Sequence, residues 1–204
     1  GVEITEMFVG QLAVLNELEI PNVEIRRFRL EGGEQKVINE ATEADLEGLA
    51  AALRTAGIGC AGIASPVGKP PVGEPFEPDL ERFRRALRAA QYLKSPYLRV
   101  FSSYVPEGPV SAEHREEALR RLRAITELAA KEMPEVIVVV ENESELYGEG
   151  VAACLDIFES LDMPNLKMVY DPCNFVVAGV DPYNEAWEAL KGWIACFHIK
   201  DALG

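Results

Sequence analysis

Val136-Ile137-Val138-Val139-Val140-Glu141 is five β-branched residues in a row, closed by a carboxylate. A strand with one wet face alternates apolar and polar residues. An unbroken run instead predicts a strand covered on both faces, as in a parallel sheet flanked by helices. Runs of similar character lie at 22–28, 58–65, 97–103, 166–171 and 194–199. Their strands start near 23, 58, 97, 136, 166 and 194, between 28 and 39 residues apart. A strand and its return helix together need about 30 residues, so the chain reads as consecutive βαβ units on a parallel sheet.

The intervening segments carry helix signals. Thr42 followed by Asp45 resembles a capping box, Leu46, Leu49 and Leu53 follow at helical spacing, and Gly57 stands where a C-terminal glycine belongs. A second helix is expected to open near Pro78 and bury Leu80, Phe83 and Leu87. Ser111 caps a third, with Leu119, Leu122, Ile125 and Leu128 on one side, and a fourth carries Val151, Leu155 and Phe158. The last opens with Asp181-Pro182, a cap followed by a first-turn proline.

Two architectures fit this alternation, a doubly wound open sheet and a closed (β/α)8 TIM barrel. The barrel takes eight units and roughly 250 residues. The 204 residues supply six or seven units, so residues 1–204 are expected to form a single barrel domain that is incomplete. Met7, Phe8, Leu12 and Leu15 read as a helix leading into the first visible strand, and the chain stops at Ala202-Leu203-Gly204, directly after the sixth. A leading strand and a trailing unit are therefore expected to be missing, which would leave two unpaired sheet edges.

Acidic residues outnumber basic ones 34 to 20, a net charge of −14, which disfavours a nucleic-acid partner. Arg82, Arg84, Arg85 and Arg88 interleave with Leu80, Phe83 and Leu87 and read as a solvated helix face. No apolar run reaches the ~18 residues of a membrane span, so no membrane partner is expected. Cys60, Cys154, Cys173 and Cys196 form no CxxC pair and point to reduced thiols in a cytoplasmic setting.

In parallel α/β proteins the functional groups gather beyond the carboxyl ends of the strands. Three neighbouring strands end in Glu141, Asp171 and His198, with Lys200 and Asp201 just past the last. Period-2 alternation puts Ile137, Val139 and Glu141 on one face of their strand, and Lys167, Val169 and Asp171 on one face of theirs. Each residue alone has a plainer reading: Glu141 as a solvated strand end, Asp171 before Pro172 as a turn starter, His198 as a structural histidine. Their recurrence at equivalent strand ends instead predicts convergence. Two carboxylates and an imidazole in a partly desolvated pocket need a counter-charge. One divalent ion, Mn²⁺, Mg²⁺, Co²⁺ or Zn²⁺, supplies it. His114, inside a capped helix, is not a candidate ligand. Lys200 is placed as a donor to substrate oxygens, with an ion pair to Asp201 or Glu141 as the plain alternative. Glu24 and Arg26, at the end of the first visible strand, are candidate substrate contacts, though a charge pair between them is equally compatible.

The motifs 138–142 (VVVEN), 169–175 (VYDPCNF) and 197–201 (FHIKD) resemble successive motifs of the xylose-isomerase-like barrel superfamily. The segments 22–26 (NVEIR) and 98–101 (LRVF) are similar to its second- and fourth-strand motifs. That superfamily contains sugar and sugar-phosphate isomerases, ketose 3-epimerases, hydroxypyruvate isomerase, inosose and dehydroshikimate dehydratases, and endonuclease IV. The resemblance implies that Glu141, Asp171 and His198 are three of four metal ligands, the fourth being a glutamate one unit beyond Gly204. It also implies that Glu141 doubles as a catalytic acid or base. Two departures stand out. The family often shows Glu-Asn-His where this chain has Glu141-Asn142-Glu143. Asn174, assigned to substrate binding, occupies a position where ketose epimerases carry histidine.

The implied activity is a divalent-metal-dependent isomerisation or epimerisation of a small sugar, sugar phosphate or keto-polyol. The proton α to a carbonyl is removed, giving an enediolate. Loss of a β-hydroxyl from the same intermediate would make the enzyme a dehydratase of an inosose or a dehydroshikimate-like compound; Asn174 counts against a ketose 3-epimerase and leans towards the dehydratase and unassigned isomerase branches. A non-catalytic sugar-binding relative and a metal-free aldolase using Lys200 as a Schiff-base amine are rivals of other kinds. Endonuclease chemistry through many histidines is excluded by a chain with two. The expected partner is a small carbohydrate, and association into a homo-oligomer is left open.

Overall fold

The computed structural model describes residues 4–200, so Asp201 and the 202–204 terminus lie outside the described residues. Contacts group the chain into two compact units, 1–65 with 81–98, and 66–80 with 99–204.

In the first unit, helix α1 (Phe8–Glu17) precedes strand β1 (Asn22–Ile25) and a two-stranded antiparallel ribbon of β2 (Arg27–Phe28) and β3 (Lys36–Val37). Helix α2 (Glu43–Ala56) then leads into β4 (Gly59–Ala64), which pairs parallel with β1. Helix α3 (Glu77–Leu93), most of which belongs to this unit, returns the chain to β5 (Tyr97–Val100). Phe8, Ile25, Phe28, Leu46, Leu49, Ile63, Phe83 and Leu87 form the core of this unit. The arginines at 82, 84, 85 and 88 are exposed as the sequence predicts: Arg84 and Arg85 face Glu81, and Arg88 lies 3.2 Å from Glu43. Leu80 is only half-buried, whereas Asp79 is buried.

The capping box forms as expected. The Asp45 amide donates to Thr42 Oγ1 at 3.2 Å, the Thr42 amide donates to Asp45 Oδ2 at 2.8 Å, and Gly57 closes α2 at φ 68°. Each bond satisfies an otherwise orphaned amide of the first turn. Thr42→Ala is expected to lower unfolding stability by about 1 kcal/mol. A urea titration in which Thr42→Ala matches the wild type would show that the box contributes nothing.

The second unit holds helix α4 (Ala112–Glu132), strand β6 (Ile137–Glu141), helix α5 (Val151–Leu161) and strand β7 (Leu166–Tyr170). They are followed by helix α6 (Pro172–Val177), a π-helical segment Pro182–Trp187, the short α7 (Glu188–Leu190) and strand β8 (Ile194–Phe197). Ser111 caps α4 by accepting from the His114 amide at 3.1 Å. Asp181 caps the next turn by accepting from Tyr183 and Asn184. That turn winds as a π-helix where an α-helix is expected. Helix α5 buries Cys154, Ile157, Phe158 and Leu161, a stripe rotated from the one Val151 and Leu155 suggest. Its sequence is apolar nearly all round, so periodicity alone does not fix the buried side.

Within each unit the main strands neighbour one another in chain order, β1 and β4 in the first and β6, β7 and β8 in the second. No order reversal occurs in either. A doubly wound sheet needs such a switch point, so the order favours the barrel-type winding. Val138 and Val140 are buried, as are Val139 and Glu141, so β6 is covered on both faces as its composition predicts. No helix among the described residues is long and apolar enough to cross a membrane.

Candidate metal centre

The three strand-end residues meet in the second unit. In the β6–β7 ladder Glu141 lies level with Val169, so Asp171, two residues further, points to the same side. The β7–β8 ladder carries a register shift: Met168 pairs with Ile194 but Val169 with Cys196, passing over Ala195. Tyr170 then pairs with Phe197, and the His198 amide donates to Tyr170 O at 3.0 Å. Without the extra residue every later side chain of β8 would face the other way, and Phe197 would sit beside Asp171. The bulge therefore places His198 in the site.

One donor atom from each of Glu141, Asp171 and His198 lies within 4.8 Å of the others. Glu141 is 4 % and Asp171 0 % exposed. Glu141 Oε2 accepts from Arg99 Nη1 at 2.5 Å and is 3.4 Å from His198 Nδ1. Glu141 Oε1 receives Asn174 Nδ2 at 3.4 Å and faces Lys200 Nζ at 4.0 Å. Burial alone would raise the Glu141 pKa, but hydrogen bonding to His198 and the Arg99 charge outweigh it and hold the carboxyl well below the usual range.

Asp171 serves two masters. Its Oδ1 accepts from the Asn174 amide at 2.9 Å and caps α6, so the turn-starting role read from Asp171-Pro172 is real. Its Oδ2 is fully buried and has no aligned hydrogen bond, with Lys200 Nζ 2.7 Å away. Contact distance without hydrogen-bond alignment marks a Coulombic neighbour. Asn142 clamps the two strand ends together. Its Nδ2 donates to Asp171 O and its Oδ1 accepts from the Asp171 amide, both at 3.0 Å. Asn174 Nδ2 adds a bond to Asn142 O at 2.7 Å.

A divalent ion fits this set. Hard carboxylate oxygens and an imidazole nitrogen suit Mg²⁺, Mn²⁺, Co²⁺ or Zn²⁺, and donors around one such ion span roughly 3–4 Å. A buried carboxylate oxygen without an aligned donor is the atom such an ion would satisfy.

Lys200 and Asn174 thus join the centre, and the partner of Lys200 is Asp171 ahead of the expected Glu141. Glu24 and Arg26 belong to the first unit and are exposed. Sequence reasoning gave no role to Arg99 or Asn142. A charge inside the apolar stretch Tyr97-Leu98-Arg99-Val100-Phe101 was the available signal for Arg99.

Comparison with known proteins bears on this geometry. The family model of the xylose isomerase-like TIM barrel matches residues 23–204. A 3-dehydroshikimate dehydratase of Bacillus anthracis is 26% identical over 126 residues, which is 62% of this chain and 44% of that protein. The chain thus spans less than half the length of that relative. Among solved structures, a probable 3-DHS dehydratase from Bacillus anthracis superposes with a TM-score of 0.76 at 21% identity, covering 95% of this chain and 68% of its own. A D-allulose 3-epimerase from Methylomonas sp., in complex with D-allulose, superposes with a TM-score of 0.71 at 13% identity, covering 95% and 66%. At these identities the superpositions speak for the fold.

Proposed function

Since the chain belongs to the xylose isomerase-like TIM barrel family, we propose that it is part of a divalent-metal-dependent enzyme that removes the proton α to a carbonyl of a small sugar, sugar phosphate or keto-polyol, as an isomerase or epimerase. Residues 1–204 are read as one barrel domain, and its widely spaced cysteines as reduced thiols in the cytoplasm. The convergence of Glu141, Asp171 and His198 within 4.8 Å carries the proposal.

Glu141, Asp171 and His198 would hold the ion. It would supply Lewis acidity toward adjacent carbonyl and hydroxyl oxygens of the substrate. Arg99 holds Glu141 by its Oε2, and hydrogen bonding to His198 together with the Arg99 charge favours the ionised form that both ligation and proton acceptance require. Glu141 Oε1, which the arginine leaves clear, is the atom we assign to the substrate proton. Asn142 and Asn174 set the spacing of the two carboxylates. The half-exposed Lys200 offers its ammonium to a substrate oxygen. Glu24 and Arg26, at the end of β1, are retained as candidate substrate contacts on the sequence reading alone.

A dehydratase is the second reading, supported by Asn174 at the position where ketose epimerases carry histidine and by the 26% identical relative. Both reactions begin with the same proton, so one experiment addresses the shared step. The protein as its gene encodes it is expected to carry about one divalent ion per chain by elemental analysis. The Glu141→Gln, His198→Ala double variant is expected to carry none. Incubation of ketoses and inososes in deuterium oxide should exchange the α-proton, and concurrent loss of water identifies the dehydratase. No metal in the folded protein after adding Mn²⁺ or Co²⁺ would overturn the proposal. Metal without exchange would leave a sugar-binding protein.

A further inference from the structure

The acidic residues of the site are already matched by cations. Glu141 lies against Arg99, Asp171 against Lys200, and Glu143, two residues beyond Glu141, against Lys69 at 2.8 Å. In a chain of net charge −14, these three pairs together carry no net charge. Lys69 sits in the loop after β4, and that loop is fixed. Gly68 donates to the buried Asp79 at 2.7 Å, Gly68 O accepts from the Ser103 amide at 2.6 Å, and Val67 O accepts from the Phe101 amide at 2.8 Å. The Lys69 ammonium lies 4.5 Å from the centre of the Phe101 ring and 5.9 Å from that of Tyr104. The Arg99 guanidinium lies 4.4 Å from the same Phe101 ring. Lys69 is therefore within about 9 Å of Arg99, the length of a small sugar derivative.

Resting on the metal-dependent reading above, we propose that the substrate is anionic, and that Lys69 is the specificity-determining residue that binds its carboxylate or phosphate. Three carboxylates balanced by three cations make a neutral cluster. Adding a divalent ion brings the cluster to an excess of two positive charges, which a partly desolvated pocket does not tolerate unneutralised. One further glutamate, as the resemblance implies, cancels only one. An anionic group on the substrate supplies the remainder. Lys69 is its receptor because its partner Glu143 is 30% exposed and gives way at low cost, as expected of solvent-accessible pairs. Arg99 is held to a buried glutamate, and Lys200, beside the buried Asp171, is already assigned to a substrate oxygen at the reacting end.

The test compares three six-carbon ketoses on the Mn²⁺-loaded full protein by calorimetry: fructose, fructose 6-phosphate and 5-ketogluconate. In the two acids the charge lies four carbons from the carbonyl. The acids are expected to bind about tenfold or more tightly than fructose. The tighter of the two identifies the group as phosphate or carboxylate. Lys69→Met should erase that advantage while leaving fructose and Mn²⁺ binding unchanged, and Lys69→Arg should retain it. Glu143→Gln, which releases the lysine, should strengthen acid binding several-fold. Fructose binding as tightly as both acids would overturn the assignment, as would an unchanged ratio in a Lys69→Met protein that still takes up Mn²⁺. Failure of the wild type to bind Mn²⁺ would remove the charge excess and sink the metal reading along with it.

Discussion

Arg99→Met is expected to cost about 3–5 kcal/mol of unfolding stability at pH 7, because it leaves Glu141 charged, buried and without its guanidinium partner. Total stabilities of roughly 5–15 kcal/mol make that a large fraction. The pH dependence identifies the cause. In the wild type the folded-state pKa of Glu141 lies below its unfolded value of about 4.5. The folded state therefore binds fewer protons, and the stabilisation is present above pH 4.5 and lost as the pH falls toward the depressed pKa. In Arg99→Met the effect of burial is opposed by less positive charge, so the carboxyl is driven upward. Acidification then neutralises it and relieves the penalty. Urea titrations at pH 7 and pH 4 should show the gap between variant and wild type narrowing on the acid side. A gap of equal size at both values would mean that Arg99 acts through packing on Phe101 instead. Added Mn²⁺ should recover part of the loss at neutral pH, since a cation bound at Glu141 replaces the missing charge.

Such an interaction joins residues 42 positions apart, and this separates what can be read in the sequence from what cannot. Local rules have local signatures. Five β-branched residues at 136–140 specify a covered strand, Thr42 with Asp45 specifies a helix start, and Asp181-Pro182 specifies a capped turn. Strand-end placement of Glu141, Asp171 and His198 follows from the regular repeat. The facing of His198 does not, because it depends on Ala195 being passed over in the ladder, and nothing in Ile194-Ala195-Cys196-Phe197 announces a bulge. Lys69 meets Glu143 across 74 positions, and Asn142 clamps Asp171 across 29. Side-chain partners at these distances are selected by the packing of whole βα units, and the one-dimensional pattern holds only the candidates.

Gly68→Ala is expected to destabilise the protein by more than about 3 kcal/mol, or to displace the loop that carries Lys69. Two causes add. Gly68 has φ +83°, a backbone region in which a Cβ costs of order 1 kcal/mol or more. A Cβ there would also stand 1.9 Å from Phe101 O and 2.5 Å from its carbonyl carbon. These are backbone atoms inside a paired segment, held by the Phe101-to-Val67 and Ser103-to-Gly68 hydrogen bonds. They cannot swing aside as a side-chain tip would. Relief requires breaking those bonds or the Gly68-to-Asp79 bond, which would take a donor away from a buried carboxylate. Gly73, in the same loop, has open space where its Cβ would be, and Gly73→Ala should change stability by less than about 0.5 kcal/mol. Urea midpoints of the two variants, measured beside the affinity for an acidic ketose, separate the outcomes. A stable Gly68→Ala protein with lost acid affinity means that the loop has moved and taken Lys69 with it. A Gly68→Ala variant matching Gly73→Ala in both measurements would show that the loop is not held as described, and that Lys69 has no fixed position from which to select a substrate.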